Sequence, residues 1–248
     1  VVTKFSKLAK GSDIRRGVYT PTTVAAVRGT EFTVAVSDSG DSRIDLTEGS
    51  LDVHNPYGGT QLEAGHKVQA NIAGVPTEDN DFTGTVADWK GVQDESLKTN
   101  PSVKSDQYQT YLKDMSDRSS QNSQKVDSLK KGVTGAKDKK SLDATGKDLG
   151  VVSASVEDDY YLGDAAHLAI NNITGRFEKD KGEMYNKFLQ LKEESNKVHE
   201  QQQRNYEALQ AVRDAYKKAY NDIMTKQQEN KKKIKEGVDL EKVKPKIE

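Results

Sequence analysis

The chain has 248 residues, 33% of them apolar and 31% charged, and its 38 basic and 39 acidic side chains leave a formal net charge of −1. That balance starves a single compact core of apolar side chains and gives no net field suited to nucleic acid or to an acidic partner. The absence of cysteine excludes disulfides, thiol nucleophiles and sulfur-ligated zinc or iron–sulfur sites together.

Short alternating runs open the chain. Phe32, Val34 and Val36 alternate with Thr33 and Ala35, the period of a half-buried strand. Asp38-Ser39-Gly40-Asp41 supplies residues that tolerate a tight turn, and Ile44 and Leu46 resume the alternation up to a second turn at Glu48-Gly49. Leu51 and Val53 form the next strand, closed by Asn55-Pro56-Tyr57-Gly58-Gly59. Leu62 with Ala64, then Val68 with Ala70, give two more, broken at Gly65. Strands of this length between glycine-rich turns predict a small antiparallel β-sandwich or β-roll.

The string TPTTVAAVRGTEF at Thr20–Phe32, followed by EGSLDV at Glu48–Val53 and LEAGHKV at Leu62–Val68, resembles the signature of the FecR-like domain family. The resemblance covers roughly residues 1 to 74. It implies an extracytoplasmic β domain, the founding members being sensors that pass an iron-siderophore signal to a sigma factor. The chain departs from that founding pattern in showing no membrane span and no cytoplasmic regulatory domain. Within the motif, Gly29 is expected where a β-bulge or a close backbone approach excludes a side chain. Arg28 is expected to pair with Glu31 or Glu48 and pin the neighbouring turn; an anionic ligand on Arg28 is the alternative.

From Pro76 to Pro101 no clear period holds, and a connector with local packing around Phe82, Val86 and Trp89 is expected. Two seams of four-and-three spacing follow. The first uses Tyr108, Leu112, Met115, Ser119, Asn122, Val126, Leu129, Val133 and Ala136. Gly132, Gly135, Gly146 and Gly150 are read as a reversal, with the long helix beginning near Val156. The second runs unbroken from Phe177 through Met184, Phe188, Leu191, Ser195, Val198, Gln202, Asn205, Leu209, Val212, Tyr216 and Ala219 to Ile223. With no proline between Gly175 and Val243, a helix of more than about 80 Å is allowed. The shorter first helix is expected to leave Leu209, Val212, Tyr216 and Ile223 uncovered, as a protein-contact surface.

Chemistry-bearing patterns are sparse. There is no phosphate loop, dinucleotide fingerprint or nucleophile elbow. The histidines are His54, His66, His167 and His199; antiparallel pairing is expected to set His54 opposite a residue near Glu63, away from His66. The acidic runs at Asp38–Asp41 and Glu78–Asp81 lack EF-hand spacing. No catalytic residue, metal ligand or cofactor is assigned. No apolar run approaches the roughly 20 residues of a membrane span. A chain starting at Val1 without a basic-then-apolar leader fits a mature form after signal removal, and equally a trimmed chain.

The expectation is therefore an α+β protein in two parts: a β domain over 1–76, a connector over 77–104, and a helical hairpin with a long coiled-coil-like arm over 105–248. Its expected role is a non-catalytic, periplasmic or otherwise extracytoplasmic interaction or structural protein. The arm would dock onto a larger envelope assembly, for example a periplasmic filament or its coat, through a protein partner or a second copy. The alternative is a periplasmic ligand-sensing or signal-transduction module resembling FecR.

Overall fold

The computed structural model describes residues 2–4, 17–27, 30–179 and 181–242, with side chains over 17–26, 30–179 and 181–234. In chain order these form β1 (Val2–Lys4), β2 (Gly17–Tyr19), β3 (Val24–Val27), β4 (Glu31–Val36), β5 (Ser42–Glu48), β6 (Ser50–Asn55), β7 (Gly58–Glu63), β8 (Lys67–Ala70) and β9 (Thr77–Glu78). The helices α1 (Val86–Thr99), α2 (Pro101–Gly135), α3 (Lys139–Phe177) and α4 (Glu183–Lys242) follow. The fold is α+β, strands first and helices after. It divides into two units, Val1–Ser120 with Val156–Arg204, and Gln121–Ser155 with Asn205–Glu248.

In the first unit the alternating residues build two antiparallel sheets, ordered β1-β4-β5-β8-β9 and β2-β3-β6-β7. Phe32, Val34, Ile44, Leu46 and Val68 of one sheet share a buried core with Ala25, Leu51, Val53 and Leu62 of the other. Each large side chain so buried contributes about 1.5–3 kcal/mol. This is the β-sandwich of the expectation. Two of the predicted inward residues stay out: Val36 is 37% exposed and Ala64 is exposed. The β6–β7 hairpin corrects the expected pairing of His54. The turn is only Pro56-Tyr57, so Asn55 pairs with Gly58, His54 with Gly59, and Glu63 with Ser50.

The stretch expected to be a connector contains α1. Thr85 caps it, with Thr85 and Asp88 closing a reciprocal capping box, and Trp89 and Leu97 are buried. Phe82 lies under the Arg43 guanidinium, 4.9 Å from ring centroid to Cζ. A second apolar core in this unit joins Ile72 to Tyr108, Leu112 and Met115 of α2, Ile170 of α3 and Phe188 of α4.

The helix plan keeps the expected reversal but starts the next helix earlier and adds a second break. The chain turns after Gly135, and α3 starts at Lys139 and runs through Gly146 and Gly150 to Phe177. A second break lies between Phe177 and Glu183, where Lys181 adopts a left-handed φ of 41°. The seam read as unbroken from Phe177 is therefore split, with Phe177 on α3 stacked 5.3 Å from Phe188 on α4. Gly135 does end α2 at a reversal, whereas Gly132 and Gly146 lie inside helices where a facing side chain comes close, and Gly150 lies inside α3 in open space.

That packing is clearest in the second unit. A Cβ at Gly146 would run into the Tyr216 ring, and one at Gly132 would stand 2.9 Å from the Thr145 hydroxyl. Val126, Leu129 and Val133 of α2, Leu142, Leu149 and Val152 of α3, and Leu209 and Val212 of α4 are buried. Asp138 caps α3 by accepting from Ser141 N at 2.8 Å. The Ser141 backbone and hydroxyl donors hold its carboxyl below the usual range.

Candidate functional site

The densest assembly of buried polar groups is the joint between the β-sandwich and the helices of the first unit. It begins at the β4–β5 turn. Gly40 there has φ 88°, a backbone that glycine adopts without strain, and a Cβ would collide with the Tyr108 hydroxyl. The tightness of the turn points Asp41 inward. Lys104 Nζ from α2 donates to both Asp41 oxygens at 2.8 and 2.7 Å, and Ser39 Oγ donates to one of them at 2.7 Å. The lysine and carboxylate side chains are 10% and 2% exposed. Beside them the Tyr108 hydroxyl donates to the Ser39 carbonyl at 3.1 Å. Burial, with Asp41 adding to it, raises the Tyr108 phenol well above its ordinary range.

Further contacts continue the joint. Tyr57, on the β6–β7 turn, donates to Asp114 of α2 at 3.1 Å, and burial followed by Asp114 keeps it protonated far above the usual range. Asn55 holds that turn by donating to the carbonyls of Thr22 and Gly74 at 2.9 and 2.7 Å. His54 Nε2 lies 3.2 Å from Asp158 of α3. Asp38 meets Lys90 of α1 at 3.0 Å and also Arg176 of α3, while its backbone N donates to Asp94 at 2.7 Å. Between helices, Arg118 donates to Asp159 Oδ1 through Nε and Nη2 at 3.0 and 2.7 Å.

Chemically, this set fastens. Its carboxylates face cations, hydroxyl donors or a backbone N–H of the same chain, and its phenols are held in the proton-bearing form, which suits a donor and not a nucleophile. Among the described residues no group of three or more His, Asp or Glu is arranged to hold a metal ion. No described helix is long and apolar enough to cross a membrane. Sequence reasoning missed the joint because its partners stand far apart in the chain, 57 residues for Tyr57 and Asp114, 63 for Lys104 and Asp41, and 104 for His54 and Asp158. The one local signal was the polar but turn-bound Asp38–Asp41 run.

The residues expected to form a contact surface are placed unequally. Leu209 and Val212 are 0% and 3% exposed, so the chain covers them itself. The correction follows from α3, whose N-terminal half the sequence reading had not counted as a helix. Tyr216, against Gly146, and Ile223 are half-buried. Of the motif residues, Arg28 and Gly29 lie outside the described residues. Glu48 is exposed and pairs with Glu31 across a register shift at Glu31/Phe32, and Gly49 has φ 90° at the β5–β6 turn. Neither a protein-family model nor a curated protein matches this chain.

Proposed function

We propose that this chain is a non-catalytic extracytoplasmic interaction and structural protein, a β-sandwich fastened to helices whose helix α4 docks onto a larger envelope assembly, such as a periplasmic filament or its coat. The observation that carries the docking role is that α4 outruns the cover of its own chain. Every side chain from Thr225 to Ile234 is exposed. Ile234, 66% exposed, stands about five turns beyond Tyr216 on the same stripe, with Ile223 between them. An uncovered polar helix gains little from propensity alone, so a surface that receives it supplies the missing burial. The contact surface thus shifts from Leu209 and Val212 to Tyr216, Ile223 and Ile234. The extracytoplasmic setting rests on the resemblance to FecR-like domains.

Two measurements test it. Ending the chain after Met224 should leave the melting temperature nearly unchanged and abolish retention on envelope fractions that hold the parent. The double change Ile223→Asp and Ile234→Asp should act the same way, since docking would bury unpaired charge. Equal retention of parent and both variants rejects the docking role.

A second reading, a ligand-receiving module, is supported by one cleft of about 570 Å³ in the first unit. Pro21, Val36 and Leu168 give it apolar walls, and Asp38, Asn172 and Arg176 a polar side. It predicts a thermal shift with a small amphipathic ligand that Leu168→Asp removes.

A further inference from the structure

Three successive polar layers interrupt the apolar packing of α3 on α4 in the first unit. In the first, Gln202 lies over Gly163, where a Cβ would overlap its amide. Gln202 is 2% exposed, and neither amide atom has a hydrogen-bond partner in the chain. In the second, the His199 ring stacks on Tyr160 and on His167, with centroids 5.9 and 5.4 Å apart. Its Nδ1 is buried without a partner, and its Nε2 is 3.9 Å from Asp164. In the third, His167 Nδ1 meets Ser195 Oγ at 2.9 Å and its Nε2 meets Asn171 Nδ2 at 2.8 Å. With the Asn171 amide nitrogen turned to the ring, Nε2 accepts and Nδ1 carries the proton, the arrangement of a neutral imidazole. Asn171 Oδ1 is itself buried and without a partner.

We propose that the stacked pair His167 and His199 is an acid-sensitive latch: neutral, the rings let α3 and α4 close on each other, and protonated, they loosen that contact. A proton on His167 Nε2 sets a donor against the Asn171 donor, so the amide must turn and the present contact is given up. Two imidazolium rings at stacking distance repel, and Lys192 adds a third positive charge nearby. Among the described residues the carboxylate in ion-pair range of the rings is Asp164, whose side chain is 52% exposed and so screened. The neighbouring carboxylates on α3 face elsewhere: Asp158 takes Tyr19 and His54, and Asp159 takes Arg118. Four orphaned atoms in the same layers, two on Gln202 and one each on His199 and Asn171, leave the polar part of this contact weakly fastened beside its apolar neighbours Ala166, Ile170, Leu191 and Val198.

The direction of the effect follows from His167. Burial, then His199 and Lys192, hold it below its ordinary value of 6.5, while Asp164 acts the other way. A depressed imidazole gives stability that is complete above 6.5 and is lost as pH falls through that value toward the depressed one.

Amide exchange on the full chain at pH 7.5 and pH 5, corrected for intrinsic rates, tests the latch. Segments 160–174 and 192–204 should exchange severalfold faster at pH 5, while the β-sandwich holds its protection. In a variant carrying His167→Gln and His199→Gln the difference should vanish. Asp164→Asn changes an exposed residue, folds without difficulty, and should enlarge the acid effect by removing the compensating charge. The proposal is overturned if the pH difference survives in the double histidine variant, if it spreads equally to the sandwich, or if Asp164→Asn leaves it unchanged or smaller.

Discussion

The two units spend their buried polar groups differently. In the first, charge is mated to charge: Lys104 with Asp41, Arg118 with Asp159 and Arg43 with Asp45 and Asp79. In the second, the seam is mostly aliphatic, and glycines at 132 and 146 let side chains of the facing helices approach closely. A buried ion pair adds little net stability over an apolar pair of like volume, yet breaking it is costly, so it specifies geometry more than it stabilises. An aliphatic seam stabilises in proportion to area and specifies less. The contrast assigns the first unit the task of holding a β-sandwich in one fixed attitude on its helices, and the second that of keeping helices bundled.

The sharpest way to break this contrast is at Asp41. Asp41→Ala leaves the Lys104 ammonium buried without its acceptor, and the loss should be about 3–5 kcal/mol in denaturant unfolding. Replacing both partners, Asp41→Leu with Lys104→Met, should recover most of it. If the double change is as damaging as the single one, the pair contributes net stability and the first unit is not held by specificity. Next in size is Leu209→Ala in the second unit, which removes a fully buried side chain and should cost about 3 kcal/mol. Here no partner change should restore stability, because what remains is a cavity and not a stranded charge. Gly146→Val should cost about 1–3 kcal/mol by overpacking against Tyr216, and Tyr216→Ala in the same chain should relieve part of that.

The same contrast explains what could be read from sequence. The sandwich core was legible because period-two alternation is a local signal: Phe32, Val34, Ile44, Leu46, Leu51, Val53, Leu62 and Val68 are all buried. So was the helical seam, including its polar members, since Ser195, Gln202 and Asn205 are buried along with Phe188, Leu191, Val198, Leu209 and Val212. The N-terminal half of α3 was missed although Leu142, Leu149, Val152 and Val156 carry the same spacing. Glycine there looked like a breaker, and only the facing Tyr216 shows that it is a place of close approach. The joint was illegible for a deeper reason. Asp41, Lys104, Tyr57 and Asp114 are ordinary polar residues until the fold brings distant stretches together, and no spacing announces such a pairing.

The smallest expected effects come from helix caps, and they compare the units with chemically matched perturbations. Thr85 caps α1 in the first unit, and Thr85→Ala should cost about 1 kcal/mol. Asp138 caps α3 in the second, and Asp138→Ala should appear as faster amide exchange in the first turn of α3. The Asp138 carboxyl is held below its ordinary value of 3.8 by the Ser141 donors, so its contribution is complete above that value and disappears as pH falls through the depressed one. Exchange at the start of α3 in the parent should therefore approach that of the variant on strong acidification. If each unit unfolds as one body, Thr85→Ala raises exchange across the sandwich and α1 together, because Trp89 and Leu97 tie α1 into the buried interior. Fraying confined to α1 would instead show that the joint at Asp41 holds the sandwich without help from that helix. The fixed attitude of the sandwich would then rest on α2 and α3 alone.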